Sequence, residues 1–146
     1  MRELTEPERA FLQSHRVARL ATLDERGQPY VVPMCYAFDG QVIYSALDEK
    51  PKQVPPTRLK RVRNLLANPR VGLVIDDYSE DWSRLAYMQI RGQAALIQPG
   101  TEEHTAAIGL LRAKYPQYQA MAIEQQPVVK ITPEHVLAWG TVVARG

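Results

Sequence analysis

Arg16-Val17-Ala18-Arg19-Leu20-Ala21-Thr22-Leu23, then Asp24-Glu25-Arg26-Gly27, then Gln28-Pro29-Tyr30-Val31-Val32-Pro33-Met34-Cys35-Tyr36-Ala37 is the stretch that decides the fold. Two runs rich in Val, Ala, Tyr and Thr flank a four-residue turn whose Gly27 can take positive φ, the pattern of a β-hairpin. Asp39-Gly40 follows directly between Tyr36-Ala37-Phe38 and Val42-Ile43-Tyr44, the strongest short hairpin signal, so three strands are expected to form a meander.

Upstream, Thr5 and Glu8 stand three apart with Pro7 in the first turn, a capping box that opens a helix running to about Ser14. Downstream, Thr57 is expected to cap a helix with Leu59, Val62, Leu65 and Leu66 on one face, which Asn68-Pro69 stops. Val71–Ile75 reads as a short strand, and Leu85–Gln98 as a long one with Gly92 at a bulge. Thr101-Glu102-Glu103 opens a third helix, closed by Tyr115-Pro116, and two short strands, Val128–Thr132 and Val136–Val143, follow. About seven strands joined by short turns are expected to be antiparallel and to curl into a barrel with accessory helices, because closure removes exposed edges.

Residues 1–146 suit a single globular domain with 45% hydrophobic and 23% charged residues. One cysteine cannot form an intrachain bridge, which suits a reducing compartment, so the cytoplasm is the expected location. The apolar run Val31–Phe38 is far shorter than the roughly 20 residues that a membrane helix needs. Glu3, Glu6 and Glu8 stand where a secretory signal would be basic and then apolar. A net charge of +2 is too small to imply nucleic-acid binding without a cluster.

Lys50 to Arg63 supplies such a cluster, with six cations and no anion. It reads either as a phosphate clamp, with Lys50 and Lys52 on a proline-stiffened loop beside a helix start, or as a solvated helix face. Nucleic-acid binding ranks third, because no aromatic residue interleaves the cations. Cys35, inside a strand with apolar neighbours, reads as core and not as a nucleophile. His15, His104 and His135 have no metal-ligand spacing, and Asp76, Asp77, Glu80 and Asp81 read as a solvated turn, so no metal site is expected. Tyr36, Tyr44, Trp82, Tyr87 and Trp139 either wall a flat ligand or fill the core.

Arg16–Thr22, Pro29–Pro33 and Tyr44-Ser45-Ala46-Leu47-Asp48-Glu49-Lys50-Pro51-Lys52 together resemble the pyridoxamine 5'-phosphate oxidase-like split-barrel flavoproteins. Asn64–Val71 and Glu80-Asp81-Trp82-Ser83-Arg84 resemble that family's branch that uses the deazaflavin coenzyme F-420. The resemblance implies a mainly β fold, a six-stranded antiparallel split barrel, assembled as a homodimer with a flavin-type cofactor in two interface grooves. It implies phosphate contacts from Tyr44, Ser45, Lys50, Lys52 and Arg58, with Val32, Pro33, Met34 and Cys35 along the ring system. Tyr87, Gln89 and Trp139 would stand at the cofactor edge, Trp139 from the partner chain.

The chain shows no Arg-Leu-x-Pro ending, so vitamin B6 oxidation is not expected. The expected function is an oxidoreductase that transfers a hydride between the deazaflavin F-420, or alternatively FMN, and a small planar substrate. Lys60, Arg61 and Arg63 tilt the choice to the more anionic deazaflavin, and Tyr36, Tyr44 or solvent would supply any proton. Other classes on the same barrel are a flavin or haem carrier without turnover and a basic nucleic-acid-binding barrel. A haem carrier would want an axial histidine, and none of the three is expected on a groove-lining strand.

Overall fold

The computed structural model describes residues 1–47 and 59–143. Helix α1, Glu6–Ser14, opens as its capping box requires: Glu8 N donates to Thr5 Oγ1 at 3.3 Å, and Thr5 N donates to Glu8 Oε1 at 2.8 Å. Strands β1 (Ala18–Leu23) and β2 (Pro29–Met34) form the expected hairpin, closed by Gly27 N donating to Asp24 O with Gly27 at φ +81°. Strands β3 (Ala37–Phe38) and β4 (Ile43–Ala46) form the second, whose turn is held by Gln41 N and Val42 N donating to Asp39 Oδ1. Helix α2 (Lys60–Ala67), strand β5 (Arg70–Asp77), strand β6 (Ala86–Ile97), helix α3 (Glu102–Lys114) and strand β7 (Val128–Gly140) complete the order.

All pairings are antiparallel, in one sheet of order β2-β1-β5-β6-β7-β4-β3. The expected three-strand meander is therefore wrong: the two hairpins lie at opposite edges, and β4 pairs with β7 instead of β2. Only Cys35 and Tyr36 separate β2 from β3 in the chain. Six strand spacings would set the edges of a flat sheet about 29 Å apart, and two linking residues span about 10 Å, so the sheet must curl until its edges meet. The result is a mainly β split barrel with accessory helices, built from seven strands where the resemblance implied six.

The expected pair of C-terminal strands is one continuous strand, β7. Pro133 does not break it, because it stands opposite Gly92 where the β6–β7 register shifts. A Cβ on Gly92 would lie 2.1 Å from Thr132 O, so only glycine fits this crossing.

The barrel interior is filled by one apolar cluster that includes Leu20, Ile43, Leu73, Ile75, Met88, Ile90 and Ile131, with Leu12 of α1 and Val62 and Leu65 of α2. Asn64 Nδ2 of α2 donates to Thr22 Oγ1 at 3.0 Å inside it. A second cluster packs Ala107, Ile108 and Leu111 of α3 on Ala37, Tyr44, Ala46 and Val128. Helix α3 thus covers the outer side of β3, β4 and the start of β7. The outer face from β2 across to the end of β7 keeps Val31, Leu137 and Trp139 at 61%, 52% and 49% exposure. Among the described residues no helix is long and apolar enough to cross a membrane.

Candidate functional site

Two concave regions carry the side chains singled out in the sequence. The first lies at the barrel seam, a pocket of about 240 Å³ lined by Val17, Pro33, Met34, Cys35, Ser45 and Arg61, among others. Residues from β2 and β4 meet here because the curl brings the sheet edges together, and Ser45 Oγ ties the seam by donating to Cys35 O at 2.8 Å. Val32 pairs with Leu20 and packs against the interior cluster. Arg61, read in the sequence only as an additional surface cation, is 8% exposed and forms part of the pocket wall. Its place in the first turn of α2, four residues before Leu65 on the buried side, is the signal that could have found it.

Tyr44 is turned away from this pocket, into the second cluster, where its hydroxyl donates to Glu103 Oε2 at 2.7 Å. Burial, then the Glu103 carboxylate, raises its pKa. Lys130 Nζ holds the same carboxylate oxygen at 2.7 Å, so the three groups tie α3 to β4 and β7. Tyr36 is buried with its hydroxyl donating to Leu12 O at 2.7 Å, and burial raises its pKa as well. Lys50, Lys52 and Arg58, with the Thr57 cap, lie outside the described residues.

The second region is a groove of about 540 Å³ on the uncovered outer face of β6 and β7, lined by Gln89, Arg91, Glu134, His135, Val136 and Leu137 with Met1 and Arg2 at one side. Strand alternation turns Tyr87, Gln89 and Arg91 outward, and the register sets Trp139, Leu137 and His135 directly opposite them. Tyr87 and Trp139 stack with ring centroids 5.7 Å apart and planes 24° apart. At the Gly92 crossing Glu134 is the unmatched residue of β7, so Glu134 and His135 are both exposed. Arg2 is committed to Glu8 through two bonds of 2.7 and 2.8 Å, whereas Arg91 makes no hydrogen bond or ion pair among the described residues.

The two regions are not brought together within one chain. Pro33 and Tyr87 or Gln89 share the outer face but stand three strand spacings apart, about 14 Å. His135 does line a groove on a strand, contrary to the expectation that no histidine would, because β7 runs unbroken through Pro133. The other two histidines are structural. His15 has Nδ1 2.7 Å from Phe11 O and Nε2 2.6 Å from Asp77 Oδ1, and His104, 3% exposed, donates from Nε2 to Gln126 O at 2.7 Å. Among the described residues no group of three His, Cys, Asp or Glu side chains could hold a bare metal ion.

A curled antiparallel sheet whose two edges meet at a seam defines the class of split-barrel folds. The family model described as pyridoxamine 5'-phosphate oxidase matches residues 4–140, and the chain belongs to this family. No curated protein matches it in sequence.

Among solved structures it is similar to the haem storage protein HutZ from Vibrio cholerae, at 15% identity over 97% of this chain and 100% of that one, with a TM-score of 0.76. A conserved hypothetical protein from Mycobacterium tuberculosis is similar at 22% identity over 96% and 90% of the two chains, TM-score 0.74. A haem-binding protein from Mycobacterium smegmatis is similar at 21% identity over 96% of this chain and 56% of that one, TM-score 0.69. At these identities the likeness shows the fold.

The comparisons correct the functional expectation. Where these neighbours are named for a ligand, that ligand is haem, and none of the comparisons points to the deazaflavin F-420 branch. The reading as a deazaflavin- or FMN-dependent hydride-transferring oxidoreductase does not stand. Both tyrosines suggested as proton donors are hydrogen-bonded in structural roles away from the groove. The local motifs behind that reading report the barrel, and a barrel does not choose its cofactor.

Proposed function

We propose that the chain, folded as one split-barrel domain, is a non-catalytic carrier of haem that works as a homodimer. The observation that carries the reading is the outer face of β6 and β7, which presents the exposed Leu137, the Arg91 guanidinium, without a partner among the described residues, and an imidazole in one groove. Haem is a flat apolar macrocycle with carboxylate arms and an iron that takes a nitrogen donor. Leu137 suits the ring, Arg91 suits a carboxylate arm, and the groove includes the donor. When bound, haem would supply its iron as the acceptor of a protein ligand; these residues supply binding and orientation.

A second copy of the chain is the occupant favoured for the rest of the face. Val31 and Trp139 expose apolar surface at the two ends of five adjacent strands. The seam pocket and the groove, about 14 Å apart in one chain, are parts that only a partner could join into one larger site. The neighbours named for haem storage and haem binding support the choice of ligand.

Titration of the purified protein with ferric haem, followed by visible absorption and by the shift in melting temperature, tests this. Saturable uptake with a changed Soret band and a raised Tm is expected. Absence of saturable uptake would overturn it, as would equal stabilisation by FMN accompanied by turnover.

A further inference from the structure

Resting on the reading of the groove as a haem site, we infer that His135 is the side chain that ligates the iron and that Arg91, directly across the ladder, fixes a carboxylate arm of the macrocycle.

The choice of histidine follows from hydrogen bonding. A ligand to iron must offer a ring nitrogen with a free lone pair and an open approach. His15 offers neither nitrogen, since one lies against Phe11 O and the other against Asp77 Oδ1, with the ring stacked on Phe11 at 3.8 Å. His104 is buried beneath α3 with Nε2 spent on Gln126 O. His135 is exposed, lines the groove and makes no hydrogen bond among the described residues.

The placement follows from the bulge. Arg91 pairs with His135, and the next pair is Gly92 with Pro133, so Glu134 is the extra residue. A bulge of this kind re-aims side chains and sets two successive residues toward the same side. Imidazole and guanidinium thereby project side by side from adjacent strands, with directly opposed Cβ atoms about 5 Å apart. An iron held by His135 would leave the edge of a macrocycle within reach of Arg91, and Leu137, two residues along the same face, would offer it apolar contact. Glu134, the other charged group here, fits as a hydrogen-bond acceptor for the second imidazole nitrogen, the usual partner of a metal-bound histidine.

The test uses full-length protein, ferric haem, and protoporphyrin without metal. In His135→Ala the ligated Soret spectrum is expected to be lost and haem affinity to fall by about tenfold or more, the scale on which disturbing a metal's ligand surroundings acts. Added imidazole should restore the spectrum, and metal-free protoporphyrin should bind as it does to the wild type. Arg91→Ala should weaken haem and metal-free protoporphyrin alike and leave the ligated band position unchanged. A wild-type spectrum in His135→Ala would overturn the ligand assignment while leaving the carrier reading intact. Failure of the wild type to bind haem at all would overturn both, so the two failures are distinguishable.

Discussion

Replacing Gly92 with alanine should unfold the protein at markedly lower urea, and the size of the effect can be worked from the crossing of β6 and β7. The new Cβ would stand 2.1 Å from Thr132 O and 2.9 Å from Thr132 C, both backbone atoms. Ordinary C···O contact begins near about 3.3 Å, so the strands must part by roughly 1 Å. That stretches neighbouring ladder bonds from about 2.9 Å to nearly 4 Å, beyond hydrogen-bonding range. Two lost bonds at about 1 kcal/mol each, with a further 1 kcal/mol or so of strain, give about 3 kcal/mol. At a urea slope near 1.5 kcal/mol/M, the midpoint should fall by about 2 M with the slope unchanged.

The control is Gly109→Ala, in the exposed interior of α3 with nothing within 4 Å of its Cβ, which should stabilise by about 0.5–1 kcal/mol. A Gly92→Ala midpoint within 0.3 M of wild type would refute the account of the bulge. Because the same bulge turns Glu134 and His135 into the groove, Gly92→Ala should also weaken haem uptake under conditions where it remains folded.

Glu8 is buried, and the hydrogen bonds from the Arg2 guanidinium, reinforced by Thr5, hold its carboxyl below the usual carboxylate range. Its contribution is therefore complete above about pH 4.5 and is lost as pH falls through the depressed value. Glu8→Gln should flatten the acid limb of a Tm-against-pH curve and cost about 1 kcal/mol at pH 7, since half-exposed Arg2 leaves the pair partly screened; an unchanged acid limb would refute it. Lys114 Nζ sits 4.0 Å over the Tyr36 ring without a hydrogen-bond partner among the described residues, and burial pushes its pKa down to about 8. Between about pH 8 and 10.5 the unfolded chain holds a proton that the folded one has released, so this group's penalty is relieved as pH rises. Lys114→Met should raise Tm at pH 7 and gain less at pH 9.5; a lower Tm at pH 7 would mean that the cation is net stabilising through the two tyrosine rings. Val31→Asp places a charge on the outer face beyond the groove and should convert a dimer into a monomer by light scattering, and a persisting dimer would place the contact elsewhere.

The parts of the fold legible in the sequence were those governed by a few neighbouring residues. The Thr5–Glu8 capping box, the Gly27 and Asp39-Gly40 turns and the Gly92 irregularity all depend on backbone conformations or hydrogen bonds that close within a handful of positions. The candidate site was legible only in pieces. Pro33, Met34, Cys35 and Ser45 do meet at the seam, and Tyr87, Gln89 and Trp139 do share a face, but Pro33 on β2 stands three strand spacings from Tyr87 and Gln89 on β6. Arg61 looked like surface because charge marks a residue as polar without saying whether the fold has room to enclose it.

Residue order alone thus determined an antiparallel β protein, with its hairpins, the starts of α1 and α3 and a bulge in the longest run of alternation. The tertiary structure alone decided that β4 pairs with β7, that the sheet closes between Cys35 and Tyr36, and that α3 shields one part of the outer face and leaves the rest bare. Alternation in a strand tells only that two faces differ, whereas the partner across the ladder, scores of residues away, sets which face is covered. His135 shows the consequence: without Gly92 opposite Pro133 it reads as a turn residue between two strands, and with that pairing it stands in the groove beside Arg91.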